Sequence, residues 1–338
     1  MKNILITGGA GFIGSHLVRH FVLKYPNYSI INLDLLSYAG DLSRLDSITD
    51  KKNYNFINGD INDFQLLNEL FRKYKIDSVI NLAAESHVDN SIKNPTKFAE
   101  TNIMGTLNLL NVSNKFWKDP INKIFYHIST DEVYGELGEK GLFKETSRYN
   151  PKSPYSASKA SSDHLTKSFF YTFNLPIIIS NCSNNYGPDQ HSEKLIPLTI
   201  NKILNNQKIP IYGDGKNIRD WIFVKDHVDA IDKIFHNGKI GETYNVGGNN
   251  ELTNLELVKK IIEITDSKLG RTTGTSQDLI SFVEDRKGHD YRYAIDNTKI
   301  NKDLNWYPKT IFKEGLDHTI NSYIENFNNN NNIANLKK

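Results

Sequence analysis

Through the first half of the chain, short runs of β-branched and aliphatic residues recur between longer stretches whose apolar positions repeat every three or four residues. The runs predict strands over 3–7, 29–33, 54–58, 78–82, 123–129 and 175–180, and the stretches predict helices over 15–24, 64–74, 95–116 and 155–173. Strands alternating with helices imply a parallel sheet covered on both faces. Ile124 to Ile128 is apolar without clean alternation, as burial on two sides requires. After Tyr186 the rhythm breaks into short segments rich in proline, glycine and mixed aromatic and charged residues, over 211–221 and 281–295. One return to the sheet is predicted near 242–246. The tail from 327 is asparagine-rich and has too little apolar surface to order itself.

Composition narrows the function classes. With 41 Lys and Arg against 39 Asp and Glu in 338 residues, no strong field recruits nucleic acid or an anionic membrane. Any anionic ligand must then be held by a few placed residues and helix ends. Cys182 is the only cysteine, which excludes an intramolecular disulfide and fits a reducing, cytoplasmic setting. The first apolar run stops at Thr7 and meets a glycine cluster, so it reads as a buried strand rather than a leader. No apolar run is long enough to span a bilayer.

Gly8, Gly11 and Gly14 stand between the first predicted strand and helix. That placement lets a pyrophosphate approach the backbone at a helix N-terminus, where free N–H groups and the helix dipole favour anions. Asp34 closes the second strand twenty residues after Gly14, where a carboxylate accepts from a ribose 2′-hydroxyl and repels a 2′-phosphate, favouring NAD over NADP. Asp60 and Ile61 at the third strand end suit adenine, and Leu82, Ala83 and Ala84 at the fourth let a cofactor lie against the backbone. The fold expected is α/β: a Rossmann-type doubly wound parallel sheet (1–186 and 221–249) with a smaller C-terminal substrate-binding α+β domain (187–220 and 250–326) and an unordered tail over 327–338.

Tyr155 and Lys159 are four apart on a predicted helix and share a face. An ammonium and a cationic nicotinamide both favour the phenolate; bringing tyrosine from near 10 to ~7 takes about 4 kcal/mol. Ser129 and Thr130 end a strand nearby, where a hydroxyl can share a substrate proton. With these residues placed, the chain resembles the extended short-chain dehydrogenase/reductases acting on sugar nucleotides, and more narrowly the dTDP-glucose 4,6-dehydratases. The motifs GGAGFIGS, LAAESHVD, STDEVYG, YSASKASSDHL, NCSNNYGP, EKLIP, IYGDG…RDW and DRKGHD carry the resemblance from Lys2 to about Pro308.

The resemblance implies C4 oxidation by Tyr155 with Thr130 and Lys159, C5 deprotonation by Glu132, protonation of the leaving C6 hydroxyl by Asp131, and return of the hydride to C6. An Asp-Glu pair in a loop is by itself usually solvated charge; its place in STDEVYG changes that reading. The resemblance also implies a tightly held NAD, contacted by Phe12, Ile13, Leu35, Ser37, Ser86, Thr101 and Asn185 besides the residues above. It implies a nucleotide-diphosphate hexose, dTDP-glucose first, held by Ser86, Thr130, Asn184, Lys194, Leu195, Pro210, Tyr212, Arg219, Asn254, Arg286 and His289. Arg219 and Arg286 suit the diphosphate. A homodimer and a role in deoxysugar supply, such as rhamnose, are further implications.

The chain departs from the family pattern at Lys287, where a proline is usual, at Leu35, where a lysine is common, and at Asp41, where asparagine is frequent. Thymine and uracil nucleotides remain alternatives, since one methyl group is worth only ~1–3 kcal/mol. A sugar-nucleotide 4-epimerase or decarboxylase is the nearest rival, and a cofactor-binding protein without activity a remote one. His16 and His20 have helical spacing but no third ligand, so no metal is expected. Cys182 reads as a small buried hydrophobe.

Overall fold

Ile4 and Ile6 pack into one buried core and Leu5 into another, so the first strand is covered on both faces. Ile178 likewise joins the first core while Ile177 and Ile179 join the second. The computed structural model describes residues 2–336. In chain order it begins with β1 (Asn3–Thr7), α1 (Phe12–Lys24), β2 (Ser29–Asp34), β3 (Tyr54–Asn58), α2 (Phe64–Tyr74) and β4 (Ser78–Asn81). Next come α3 (Val88–Lys93), α4 (Pro95–Phe98), α5 (Thr106–Phe116), β5 (Ile124–Thr130), α6 (Pro154–Phe173), β6 (Ile177–Cys182) and β7 (Asn184–Tyr186). The rest comprises α7 (Leu195–Leu204), β8 (Ile209–Tyr212), β9 (Ile218–Phe223), α8 (Val224–Asn237), β10 (Thr243–Val246) and β11 (Glu251–Thr253). It closes with α9 (Asn254–Lys268), β12 (Ile280–Val283), α10 (Thr298–Leu304) and α11 (Phe312–Leu336).

Seven strands form one all-parallel sheet in the order β10-β6-β5-β4-β1-β2-β3. Strand order reverses about β1, and the crevice outside the carboxyl ends of β1 and β4 is where such sheets hold ligands. This is the doubly wound architecture expected. The predicted return near 242–246 is β10, paired with β6 at the sheet edge. A smaller lobe is built on β11-β9-β7 and on the parallel pair β12-β8. Its core joins Ile196, Ile200, Leu257, Ile261, Trp221, Tyr186, Leu316 and Ile320.

Local boundaries differ from expectation in instructive places. Helix α1 starts at Phe12 rather than 15, because Gly11 serves as its N-cap and Gly14 is absorbed into the first turn. The stretch 95–116 is broken by a π-helical segment, Ala99–Gly105, between α4 and α5. That extra turn aims Asn102 inward, where it accepts from the Glu85 N–H at 2.9 Å and donates to the Glu85 carbonyl at 3.0 Å. Asp60, Ile61, Leu82, Ala83 and Ala84 follow their strands rather than ending them. Order was expected to end at 326, yet α11 continues as helix to Leu336. Once a helix is nucleated on a packed face, each added residue needs only its backbone hydrogen bond. Residues 337–338 of the expected tail lie outside the described residues.

Candidate active site

A cavity of about 430 Å³ opens at the carboxyl ends of the central strands, within the range typical of small-molecule sites. Gly8, Gly11, Phe12, Ile13 and Gly14 line one end of it. Gly8 adopts φ +71, and a Cβ there would sit 2.7 Å from the Ala83 backbone nitrogen. A Cβ on Gly14 would overlap the Gly8 carbonyl oxygen. No side chain caps α1, which leaves its first-turn N–H groups for an anion. Asp34 lines the same wall; its carboxylate accepts from the Ala10 N–H at 2.9 Å and the Leu36 N–H at 2.8 Å. Two bonds hold it rigidly and leave further lone pairs for ribose hydroxyls.

Leu35, Ser37, Asp60, Ile61, Leu82, Ala83, Ala84, Ser86, Thr101 and Asn185 also line the cavity. Gly105 leaves room for Ile61 at the cavity wall, since a Cβ there would collide with the Ile61 side chain. Ser183 Oγ, Asn184 Oδ1 and Gln190 Oε1 are buried cavity-lining atoms without partners. A buried polar atom left unpaired costs free energy, so these atoms fit a polar ligand. The shape, the uncapped helix and the carboxylate together match a dinucleotide with a free ribose 2′-hydroxyl.

At the other end the cavity is lined by Thr130, Glu132, Tyr155, Lys159 and Cys182. Thr130 is the last residue of β5, and its hydroxyl caps the short 3-10 turn Asp131–Tyr134 through the Glu132 N–H at 3.3 Å. Ser153 and Ser156 form a reciprocal capping box that starts α6, with Pro154 at its first position. This start places Tyr155 and Lys159 inward, both buried. Lys159 Nζ donates to the Ile128 carbonyl at 2.8 Å.

The two acidic residues differ in surroundings. Asp131 is buried, one of its oxygens has no partner, and burial followed by the Glu132 charge pushes its carboxyl well above the ordinary range. Burial also raises Glu132, but the Arg219, Lys194 and Arg286 cations oppose that rise. The surroundings push Asp131 further toward its neutral form than Glu132, the kind of separation an acid–base pair needs. Burial, then Glu132, raise the Tyr155 phenol well above its usual range, and the Thr130 hydroxyl opposes that rise; the expected lowering counts on the nicotinamide cation together with Lys159.

Of the expected substrate residues, Ser86, Thr130, Asn184 and Lys194 reach the cavity. Leu195, Pro210, Tyr212, Arg219, Asn254, Arg286 and His289 stand beyond its wall. Arg219 is buried, donating to the Asp290 carbonyl at 2.9 Å and the Ile218 carbonyl at 2.7 Å, with its guanidinium over the Tyr293 ring. Arg286 makes a bidentate bond to Asp89, at 2.6 and 3.0 Å, and lies over the Tyr212 ring, whose edge meets His289. Leu195 opens α7, Pro210 lies on β8 and Asn254 opens α9.

Asp89, the partner of Arg286, is a residue the sequence reading did not single out, although LAAESHVD contains it. A second unforeseen group bridges the cleft. The Tyr38 hydroxyl donates to Glu193 at 3.1 Å, and Lys194 Nζ donates to the Ser86 carbonyl at 3.1 Å. Lys97 pairs with Glu85 at 2.6 Å, and both line the cavity. These pairs join residues far apart in the chain, so no local spacing announces them. Cys182 is buried as expected but also lines the cavity, its thiol pushed up to about 12 by burial. His16 and His20 diverge, the first to the Pro188 carbonyl and the second to Asp232.

Residues 5–319 match the family model for GDP-mannose 4,6 dehydratase. A dTDP-glucose 4,6-dehydratase of Neisseria gonorrhoeae is 50% identical over 334 residues, 96% of each chain. The dTDP-glucose 4,6-dehydratase of Bacillus anthracis, solved in complex with NAD, superposes with TM-score 0.87 at 44% identity over 96% of this chain and 97% of that one. Its counterpart from Streptomyces venezuelae, also solved with NAD bound, gives 0.89 at 40% identity over the same shares.

Proposed function

The chain belongs to the GDP-mannose 4,6 dehydratase family, and on that premise we propose that it is an NAD-dependent dTDP-glucose 4,6-dehydratase, a hydro-lyase yielding dTDP-4-keto-6-deoxy-glucose and water. The observation that carries this reading is the acidic pair. A 4-epimerase needs only the tyrosine, lysine and hydroxyl, whereas elimination across C5 and C6 also needs a base and a proton donor. Asp131, buried with one oxygen unpartnered, and Glu132, held among three cations, supply those two roles.

Tyr155 takes the C4 hydroxyl proton, with the Thr130 hydroxyl aligning that oxygen and Lys159 beside it. NAD, when bound, supplies the acceptor and donor for the hydride that leaves C4 and returns to C6, and a cationic ring that favours the Tyr155 phenolate. The new ketone acidifies the C5 hydrogen, and Glu132 removes it. Asp131 protonates the C6 hydroxyl, which departs as water. Glu132, its proton exchanged with solvent, protonates C5 as C6 is reduced, and the proton gained by Tyr155 is released to solvent as Asp131 regains one, which closes the cycle. Arg219 and Arg286 are assigned to the diphosphate, with Lys194, Asn184 and Ser86 nearer the sugar. The division at 186–187, 220–221 and 249–250 assigns cofactor to one lobe and nucleotide sugar to the other.

A homodimer through α5 and α6 is part of the proposal, supported by Met104, Tyr171 and Phe173 exposing 48, 78 and 50% of their surface. So is a cytoplasmic setting, supported by the lone thiol, and supply of a deoxysugar route such as that to rhamnose. The test is conversion of dTDP-glucose by purified protein in deuterated water, with UDP-glucose and GDP-mannose in parallel. A 4-keto-6-deoxy product carrying solvent deuterium at C5, formed fastest from dTDP-glucose, is expected. Product from UDP-glucose alone would reassign the base, and a C4 epimer without C5 label would replace the dehydratase by an epimerase.

A further inference from the structure

Lys159 is buried, and an ammonium taken out of water is costly unless a counter-charge accompanies it. No carboxylate bonds it directly: its Nζ meets the Ile128 carbonyl at 2.8 Å and approaches His127 Nε2 at 3.5 Å. Beyond that imidazole stands Asp163, fully buried, one oxygen 3.3 Å from His127 Nε2. Its other oxygen accepts from Ser129 Oγ at 2.8 Å and from the Tyr149 hydroxyl at 3.0 Å. Asp163 follows Lys159 by four residues, as Lys159 follows Tyr155, so all three lie on one stripe of α6.

The hydrogen bonds behind His127 fix its state. The Ala83 N–H donates to Thr7 Oγ1, so the Thr7 hydroxyl proton goes to Asn81 Oδ1, at 2.7 Å. The Asn81 amide nitrogen then donates to Thr106 Oγ1 and to His127 Nδ1. An accepting Nδ1 puts the proton of a neutral ring on Nε2, which donates to Ser162 Oγ at 3.1 Å while the Ser162 hydroxyl donates to the Lys159 carbonyl at 2.8 Å; the near Asp163 oxygen is left without a hydrogen bond. Burial, then Lys159, lower His127 to about 4, so the ring between Lys159 and Asp163 is neutral.

We propose that Asp163 is the buried counter-charge of Lys159 and thereby a positioning residue of the Tyr155–Lys159 pair. Burial lowers Lys159 and the Asp163 carboxylate opposes that fall. Around Asp163 stand His127 and Ser129 from β5, Tyr149 and Tyr134 from the segment between β5 and α6, and Lys159 itself, with Asn181 of β6 donating to the Tyr149 hydroxyl. Around Tyr155 stand Glu132, Asp131 and Cys182. Removing the Asp163 charge weakens the ammonium, and a weaker ammonium leaves the phenolate less favoured.

The inference rests on Tyr155 and Lys159 being the catalytic pair, so its test has one arm in activity and one in stability. Asp163→Asn keeps the shape. The acid limb of its kcat profile is expected to move up by about one pH unit, with kcat at neutral pH falling about tenfold. Tyr149→Phe, which removes a bond to Asp163 but not its charge, is expected to leave that limb in place. A fall in kcat without movement of the limb would reduce Asp163 to a structural role and overturn the proposal. In the stability arm, Asp163→Asn is expected to lower Tm by roughly 5–10 °C, and Lys159→Met added to it to restore most of the loss. That arm needs no turnover, so it stands even if the dehydratase reading fails. Should Asp163→Asn not fold, the double variant is expected to fold; a double variant as unstable as the single, or also unfolded, contradicts the pairing.

Discussion

Replacing Glu132 by Gln separates the first half of the proposed reaction from the second. The substitution keeps the side chain's size and removes its charge and basicity. A positioned general base contributes about 10²–10⁴-fold, or roughly 3–5 kcal/mol of barrier, and that much is expected to be lost from C5 deprotonation. The structure adds an effect in the opposite direction on the preceding step. After burial, the Glu132 charge is the largest influence raising the Tyr155 phenol. Its removal lowers Tyr155, so C4 oxidation in the variant should begin at lower pH than in the wild type. The assay is single turnover with dTDP-glucose, following reduced nicotinamide by absorbance and C5 exchange by deuterium uptake from solvent. Reduced nicotinamide should accumulate, at a pH limb displaced downward, while deuterium uptake at C5 falls at least a hundredfold. Wild-type exchange in the variant would refute the role of Glu132; loss of nicotinamide reduction in a folded variant would refute the separation of steps.

Four further outcomes follow from the same geometry. Asp131→Asn should abolish loss of the C6 hydroxyl yet stabilise the protein at neutral pH by roughly 0.5–2 kcal/mol, since a buried carboxyl at a functional site is held at a cost. Its folded-state value lies above the unfolded one, so the wild type loses stability as pH rises from the ordinary carboxylate range; urea unfolding at acidic and neutral pH should show the two proteins converging at the acidic end. Tyr155→Phe should eliminate C4 oxidation and every later step, with no reduced nicotinamide in a single turnover. Gly14→Ala drives a Cβ into the Gly8 carbonyl oxygen and should strip the purified protein of bound NAD, read from its nucleotide content after denaturation. Arg286→Lys loses the bidentate bond to Asp89 and should raise KM for dTDP-glucose about tenfold with kcat little changed.

Much of this was legible in the sequence because it depends on local spacing. The six predicted strands all form, within a residue or two, because two-sided burial writes nearly continuous apolar runs such as that from Ile124 to Ile128. The glycine turn, Asp34, Thr130 and the Tyr155–Lys159 stripe were readable because each is set by one turn, one strand end or one helix face. What depends on packing between distant segments was not. Asp89 gains meaning only when the loop carrying Arg286 comes to lie beside it. Tyr38 and Glu193 meet only once the cleft has formed. The break in the helix at Ala99–Gly105 goes with the hydrogen bonds of Asn102 to Glu85, a residue in another loop. The groups that raise Tyr155 were hidden for the same reason. Four-residue spacing revealed the neighbouring ammonium, but not the depth of burial or the approach of Glu132, and those decide its acidity within the protein.

The central claim is a closed redox cycle in which the hydrogen taken from C4 is returned within the same molecule. It is tested most directly by supplying dTDP-glucose carrying deuterium at C4, without added NAD, and locating the label in the product. The account predicts deuterium in the methyl group at C6 of a 4-keto product, sustained over many turnovers. Deuterium still at C4 of an epimerised sugar, or label released on free nicotinamide, would contradict it.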